Sequence, residues 1–199
     1  MTSSTAKQLP VFVITGQSGA GKGTLIKRLL ELFPELELAV SATTRARRPG
    51  EIEGVHYYFI SDEEFERRRA AGDFLEYHEF PWGQRSGTLL SEIDRIGDEG
   101  RVCVLELETE GALIVADRVP GAITIFITAP IEELERRLNE RATESSGEIG
   151  ERLRVAREQL EVAGRFDHVV ENDDLERAVG ELSALVRRHA VPAGTMPRP

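Results

Sequence analysis

Val11-Phe12-Val13-Ile14-Thr15-Gly16-Gln17-Ser18-Gly19-Ala20-Gly21-Lys22-Gly23-Thr24-Leu25 runs from an apolar segment through a glycine-rich turn into the start of a helical pattern. Val11 to Thr15 has the near-continuous apolar character of a short buried strand, and Leu25 to Phe33 carries apolar residues at helical spacing. Glycines at 16, 19, 21 and 23 let the backbone take positive φ and bring its N–H groups close to a ligand, where a side chain would block the approach. The ligand that such a turn cradles is an anion. The helix N-terminus adds partial positive charge, and Lys22 adds a full one where a β- or γ-phosphate would lie.

The strict pattern G-x-x-x-x-G-K-[ST] is missed by one residue, because Gly23 holds the hydroxyl position and Thr24 follows it. This G-K-G-T variant resembles the P-loop of nucleoside monophosphate kinases. The resemblance implies that Gly16, Gln17, Ser18, Gly19, Ala20, Gly21, Lys22, Gly23 and Thr24 bind ATP, with Lys22 acting in catalysis.

The whole chain is compatible with that core. Its 199 residues suffice for one good core with small inserted lobes, and 40% hydrophobic with 30% charged residues is ordinary for a soluble protein. A net charge of -10 argues against nucleic acid or an anionic membrane as a partner, so any anion site must be a local basic cluster. No apolar run approaches the length of a membrane span and the first ten residues lack the apolar core of a signal peptide, which predicts a cytoplasmic protein. The single Cys103 lies in an apolar run and reads as a small core residue, and the four histidines show no metal-ligand spacing.

Strand patterns at 11–15, 37–41, 102–107, 122–127 and 168–171 alternate with helical patterns at 24–33, 110–117, 130–141, 149–163 and 174–189. This alternation predicts an α/β fold, a parallel sheet flanked by helices, with the ligand at the carboxyl ends of the strands. Two stretches interrupt it. Residues 41–96 are rich in charge, with short strand signals at 57–59 and 74–77 and a helical pattern at 62–71, and read as an inserted lobe. Residues 137–150 end in a polar run with two glycines and two serines and read as a short lid. The expected core is then 10–40, 97–136 and 151–189 in a single domain, with a disordered tail at 190–199.

Within the insertion, Ser41-Ala42-Thr43-Thr44-Arg45-Ala46-Arg47-Arg48-Pro49-Gly50-Glu51 concentrates three arginines in four residues. Guanidinium forks suit phosphate oxygens, though the same arginines could instead pair with Glu51 and Glu53 in a solvated loop. Tyr57, Tyr58 and Phe59 place aromatic groups and a phenol just beyond them. The pattern S-x-T-T-R-x-x-R-x-G-E-x-x-G-x-x-Y-x-F is similar to the monophosphate-binding signature of guanylate kinases, and the resemblance extends from Val11 to Arg188. It implies that Ser41, Arg45, Arg48 and Tyr57 hold the phosphate of GMP, that Glu76 and Thr88 read guanine, and that Glu108 also contacts GMP. A carboxylate at Glu76 can accept from both guanine N1–H and the exocyclic amino group, whereas adenine offers an acceptor at N1.

Arg137 and Arg141 lie four apart on one helix face leading into the polar run, with Arg152 beyond it. As a set with Arg45 they resemble the catalytic arginines that close over nucleotide phosphates, and Asn172 matches a position near the adenine of ATP. Mg2+ is expected with ATP, held by Thr24 and, through water, by the carboxylates after the strand at 102–105, and the sequence is equally compatible with a monomer or a homodimer.

Four positions depart from the family's pattern. Ser86 replaces a phosphate-binding phenol, with Arg85 beside it as the candidate substitute; Glu106 and Glu108 replace aspartates; and Ala142 replaces a glycine beside the lid. These leave open a kinase for another phosphorylated acceptor, such as ribose 1,5-bisphosphate, or a catalytically inactive interaction module.

Overall fold

The computed structural model describes residues 10–80, 82–140 and 146–190. Arg141, Ala142 and the stretch 191–199, for which the sequence suggests a lid and a tail, lie outside them.

Five parallel strands form the main sheet: β1 (Val11–Gly16), β2 (Leu36–Leu38), β7 (Val102–Glu106), β8 (Ile123–Thr128) and β9 (His168–Glu171), in the order β2-β7-β1-β8-β9. Alternate residues of each central strand face opposite layers of helices, which is why these strands read as unbroken apolar runs. Phe12, Ile14, Val102, Val104, Ile125 and Ile127 pack with α1 (Lys22–Leu32) and α7 (Leu175–Ala190) on one face. Val13, Cys103, Leu105 and Phe126 pack on the other with α4 (Thr109–Arg118) and with Ile96 of α3 (Leu90–Asp98). Burial pushes the Cys103 thiol up to about 12, so it stays protonated as an inert core residue.

A second sheet, ordered β4-β3-β6-β5, is built from β3 (Ala42–Thr43), β4 (Tyr58–Phe59), β5 (Phe74–Glu79) and β6 (Arg85–Leu89). Its small core is Ala42, Phe65, Phe74 and Leu89, covered by α2 (Asp62–Ala71). Ser61 caps α2 by accepting from Glu64 N–H, and Gly72 ends it at φ 78°.

Three features differ from the sequence expectation. β2 ends at Leu38 rather than continuing to 41, because the chain there leaves the main sheet for the second one. β6 carries no clear alternation of its own and forms by pairing between β3 and β5, while α3, which the sequence reading leaves inside the inserted lobe, is amphipathic and packs against β7. The helix expected from residue 149 begins at Ser146, as α6 (Ser146–Glu161), following α5 (Ile131–Glu140).

Candidate active site

The glycine loop leaves β1 at Gly16, φ 145°, where an added Cβ would lie 2.0 Å from the Ile127 carbonyl oxygen of the neighbouring strand. Only glycine fits there. Gln17 is completely buried behind the loop: its Nε2 donates to the Ala156 carbonyl at 2.9 Å, and its Oε1 accepts from Thr128 Oγ1 at 2.5 Å and Ala129 N–H at 3.0 Å. The Ser18 N–H donates to Gln159 Oε1 of α6 at 2.9 Å. The loop is thus fastened from behind to β8 and α6, and the Gln17 side chain serves as an anchor rather than a ligand contact.

Helix α1 starts at Lys22 behind Gly21, φ 85°, with no side-chain cap and no acidic residue in its first turn. Its first N–H groups are therefore left for an anion. A Cβ on Gly23 would meet nothing within 4 Å, so the space in front of the helix is open, and Thr24 is exposed beside it. Lys22 Nζ donates to the carbonyls of Gly16 at 2.9 Å and Gln17 at 3.2 Å. Desolvation lowers its pKa against the opposing pull of Glu108 and Glu106.

Asn172 follows β9 and Arg137 lies on α5, and both reach the same loop. Asn172 Nδ2 donates to Ala20 O at 2.7 Å; Arg137 donates to Ala20 O at 3.3 Å and to Asn172 O at 2.8 Å. Glu133 aims the guanidinium by accepting from Arg137 Nε at 2.7 Å. Asn172 is 3% exposed, and its Oδ1 makes no hydrogen bond. Arg152 lies half-buried on α6.

A cleft of about 280 Å³ separates the main sheet from the second one. Of the residues singled out from sequence, Lys22, Ser41, Tyr57, Glu76, Ser86, Glu106 and Glu108 line it. His56, His78, Phe80 and Leu107 line it as well, without having carried a sequence signal as site residues. Glu76 is 6% exposed; Thr88, opposite it in the β5–β6 register, donates its N–H to Glu76 Oε1 at 3.0 Å. A Cβ on Gly111 of α4 would come within 2.7 Å of Glu76 Oε2, so the glycine in Glu110-Gly111 makes room for that carboxylate. Burial raises the Glu76 pKa against the lowering hydrogen bonds from Thr88. Burial likewise raises Glu106, with Lys22 opposing and Glu108 adding to the shift.

Arg45 lies beside the cleft, its guanidinium over the rings of Tyr57 and Phe59 at 5.3 and 5.7 Å. Glu51 holds it bidentately at 2.9 and 2.7 Å and also accepts the Arg48 N–H at 2.7 Å, which leaves the Glu51 carboxyl at about 2. The pairing with Glu51 and a place beside the cleft, set as alternatives from sequence, are therefore both present for Arg45. The Arg48 side chain is exposed.

Arg85, the candidate substitute for the missing phenol, faces away from the cleft. In the β5–β6 ladder Glu76 faces Thr88 and His78 faces Ser86, so these four share the cleft side of the sheet. Arg85 alternates to the other side, over the Phe65 ring, paired with Glu66 and, at 3.1 Å, with Asp62. Ser86 donates to the Ala42 carbonyl at 3.1 Å.

The chain matches the family described as Guanylate kinase over residues 8–189. It is 46% identical over 177 residues to the guanylate kinase of Synechococcus elongatus, covering 88% of this chain and 96% of that one. It is 47% identical over 185 residues to the guanylate kinase of Prochlorococcus marinus, covering 92% and 97%. The crystal structure of guanylate kinase from Anaplasma phagocytophilum superposes with a TM-score of 0.71 at 28% identity, covering 93% of this chain and 87% of that one. These relatives favour neither a sugar-phosphate kinase nor a non-catalytic module, and with a glycine loop, its lysine and a carboxylate-lined cleft in one molecule, the chain belongs to the guanylate kinase family of nucleoside monophosphate kinases.

Proposed function

We propose that this guanylate kinase binds GMP in the 280 Å³ cleft, with guanine on Glu76 and Thr88 and the phosphate toward Ser41, Tyr57, Arg45 and Arg48, while the glycine loop holds ATP. The observation that carries this reading is the buried Glu76 carboxylate lining the same cleft as Lys22. Its ionised form accepts from guanine N1–H and the amino group together. Adenine in that position would set acceptor against acceptor, a mismatch of about 1–3 kcal/mol.

Transfer is a direct in-line displacement. An oxygen of the GMP phosphate attacks the γ-phosphorus, the bond to the β–γ bridging oxygen breaks, and ADP leaves with that electron pair. The acceptor oxygen is already ionised, so no general base is required. Lys22 exchanges its two carbonyl partners for phosphate oxygens, and its desolvated charge strengthens that contact. Arg137, aimed by Glu133 across the loop, supports the donor side, and Arg141 and Arg152 complete the basic set.

The donor set fits Mg2+ as a partner of ATP: the exposed Thr24 hydroxyl at the start of α1 and the Glu106 carboxylate in the cleft are hard oxygen ligands, and a cation nearby would offset the desolvation that raises Glu106. When bound, the metal neutralises charge shared by the β- and γ-phosphates.

A coupled ADP-release assay with ATP and magnesium, run with GMP, dGMP, AMP, CMP, UMP and ribose 1,5-bisphosphate, tests the proposal. Turnover confined to GMP and dGMP is expected. Faster turnover of AMP or of the sugar phosphate would overturn the assignment of Glu76.

A further inference from the structure

Glu92 carries a charge that the transfer chemistry does not use, yet it is 3% exposed on the first turn of α3. Its Oε1 accepts from Val40 N–H at 3.1 Å and its Oε2 from the Tyr58 hydroxyl at 3.1 Å. Arg95, one turn along, donates to both oxygens at 2.9 and 3.1 Å and continues to Glu37 at 2.6 Å. Burial pushes the Glu92 carboxyl up, but Arg95, Val40 and Tyr58 outweigh it and hold it below the ordinary range.

The three attachment points matter more than the ion pair. Val40 lies where the chain passes from β2 into β3, and Glu92 itself lies where the chain returns, since β6 ends at Leu89 and α3 begins at Leu90. Tyr58 belongs to β4, the edge strand of the second sheet. One carboxylate therefore joins both chain crossings to that sheet's edge. Each of its two non-arginine partners is one residue from a cleft-lining side chain: Val40 precedes Ser41, and Tyr58 follows Tyr57. The opposite side of the sheet is held independently by α4, where Arg118 donates to the Leu75 carbonyl at 2.8 Å and Gly111 abuts Glu76.

We infer that Glu92 is a positioning residue for the acceptor: through Tyr58 and Val40 it sets the phosphate-side residues Ser41 and Tyr57 against Glu76 and Lys22. The inference rests on the proposed function, in which the second sheet and its loops form the GMP-binding lobe. Burying a charge is an inefficient way to gain stability, because an apolar replacement of both partners is often neutral; what a buried carboxylate with directional partners supplies is one fixed geometry.

The test uses the full chain with Tyr58→Phe, Glu92→Gln and Glu76→Gln, measuring KM for GMP, KM for ATP, kcat and melting temperature. Tyr58→Phe keeps the ring and removes only the bond to Glu92, so it stays folded; its KM for GMP is expected to rise about tenfold, the effect of one lost hydrogen bond to a charged group, with KM for ATP unchanged. Glu92→Gln is expected to do the same or more. A fall in melting temperature with the ratio of the two KM values unchanged, or an equal rise in both, would make Glu92 merely structural and overturn the inference. Glu76→Gln separates the two readings. If it raises KM for GMP while Tyr58→Phe does not, the positioning role fails and the lobe assignment stands; if Glu76→Gln also leaves GMP unaffected, the lobe assignment fails.

Discussion

In the proposed reading the glycine loop and the small sheet across the cleft hold phosphate by opposite means. The loop offers backbone, and the side chains that define it turn away: Gln17 is buried into β8 and α6, and Asn172 and Arg137 bind its carbonyl from the flank. The small sheet offers side chains on short supports, with two-residue strands at Ala42–Thr43 and Tyr58–Phe59, and holds them by ion pairs such as Arg45 with Glu51. A donor site recognises phosphates common to every nucleoside triphosphate, and fixed amides suffice for that. An acceptor site must also distinguish a base, which needs a carboxylate at one defined direction, so its geometry depends on neighbours rather than on a loop.

The largest expected break in this comparison is on the donor side. Lys22→Ala removes the one full charge of the loop and should lower kcat by about 10²–10³-fold with an unchanged melting temperature. Turnover kept within twofold of the parent would show that the loop's amides act alone. On the acceptor side the effects are smaller and selective. Gly111→Ala places a methyl within 2.7 Å of Glu76 Oε2 and, by displacing the carboxylate, should raise KM for GMP about tenfold and leave KM for ATP unaltered. A parallel rise in both constants would mean that α4 distorts the core instead.

The pH dependence sharpens the same division. Glu76 has a folded-state pKa raised by burial, so it takes up a proton at a higher pH than an unfolded glutamate would, and its ionised form costs stability above that raised value. Because guanine needs the ionised form, kcat/KM for GMP should fall as pH drops through the raised pKa, above the ordinary carboxylate range, by up to about tenfold per pH unit. Glu76→Gln should abolish this acid limb; a limb that persists in the variant belongs to another group. The smallest effect concerns Arg85, which is turned onto Glu66, Asp62 and the Phe65 ring. Arg85→Ala should leave KM for GMP within about twofold of the parent, as expected for a side chain that contributes packing and partly exposed ion pairs. A larger change would restore Arg85 as a phosphate ligand.

Legibility in the sequence followed how local each feature is. The strand, loop and helix from Val11 to Leu32 are contiguous, and every residue that makes the anion site is present in one run, so glycine spacing and Lys22 suffice. The pattern from Ser41 to Phe59 was legible for the same reason, including the competing partner Glu51. Ser86 and Arg85 were not, since their facing depends on the parity of a strand that has no clear alternation of its own and is defined by its partners β3 and β5.

Residue types and their periods by themselves determined the parallel α/β core and the glycine loop, because apolar periodicity and backbone conformational freedom are properties of neighbours in the chain, whereas Glu76 and Thr88 were singled out through the resemblance to guanylate kinases. Only the tertiary structure decided that Gly111 makes space for Glu76, that Arg85 faces away from the cleft, and that Glu92 gathers Val40 and Tyr58. These contacts join residues separated by 19 to 52 positions, and their directions are set by strand register and by the burial of polar groups that must find partners once water is gone.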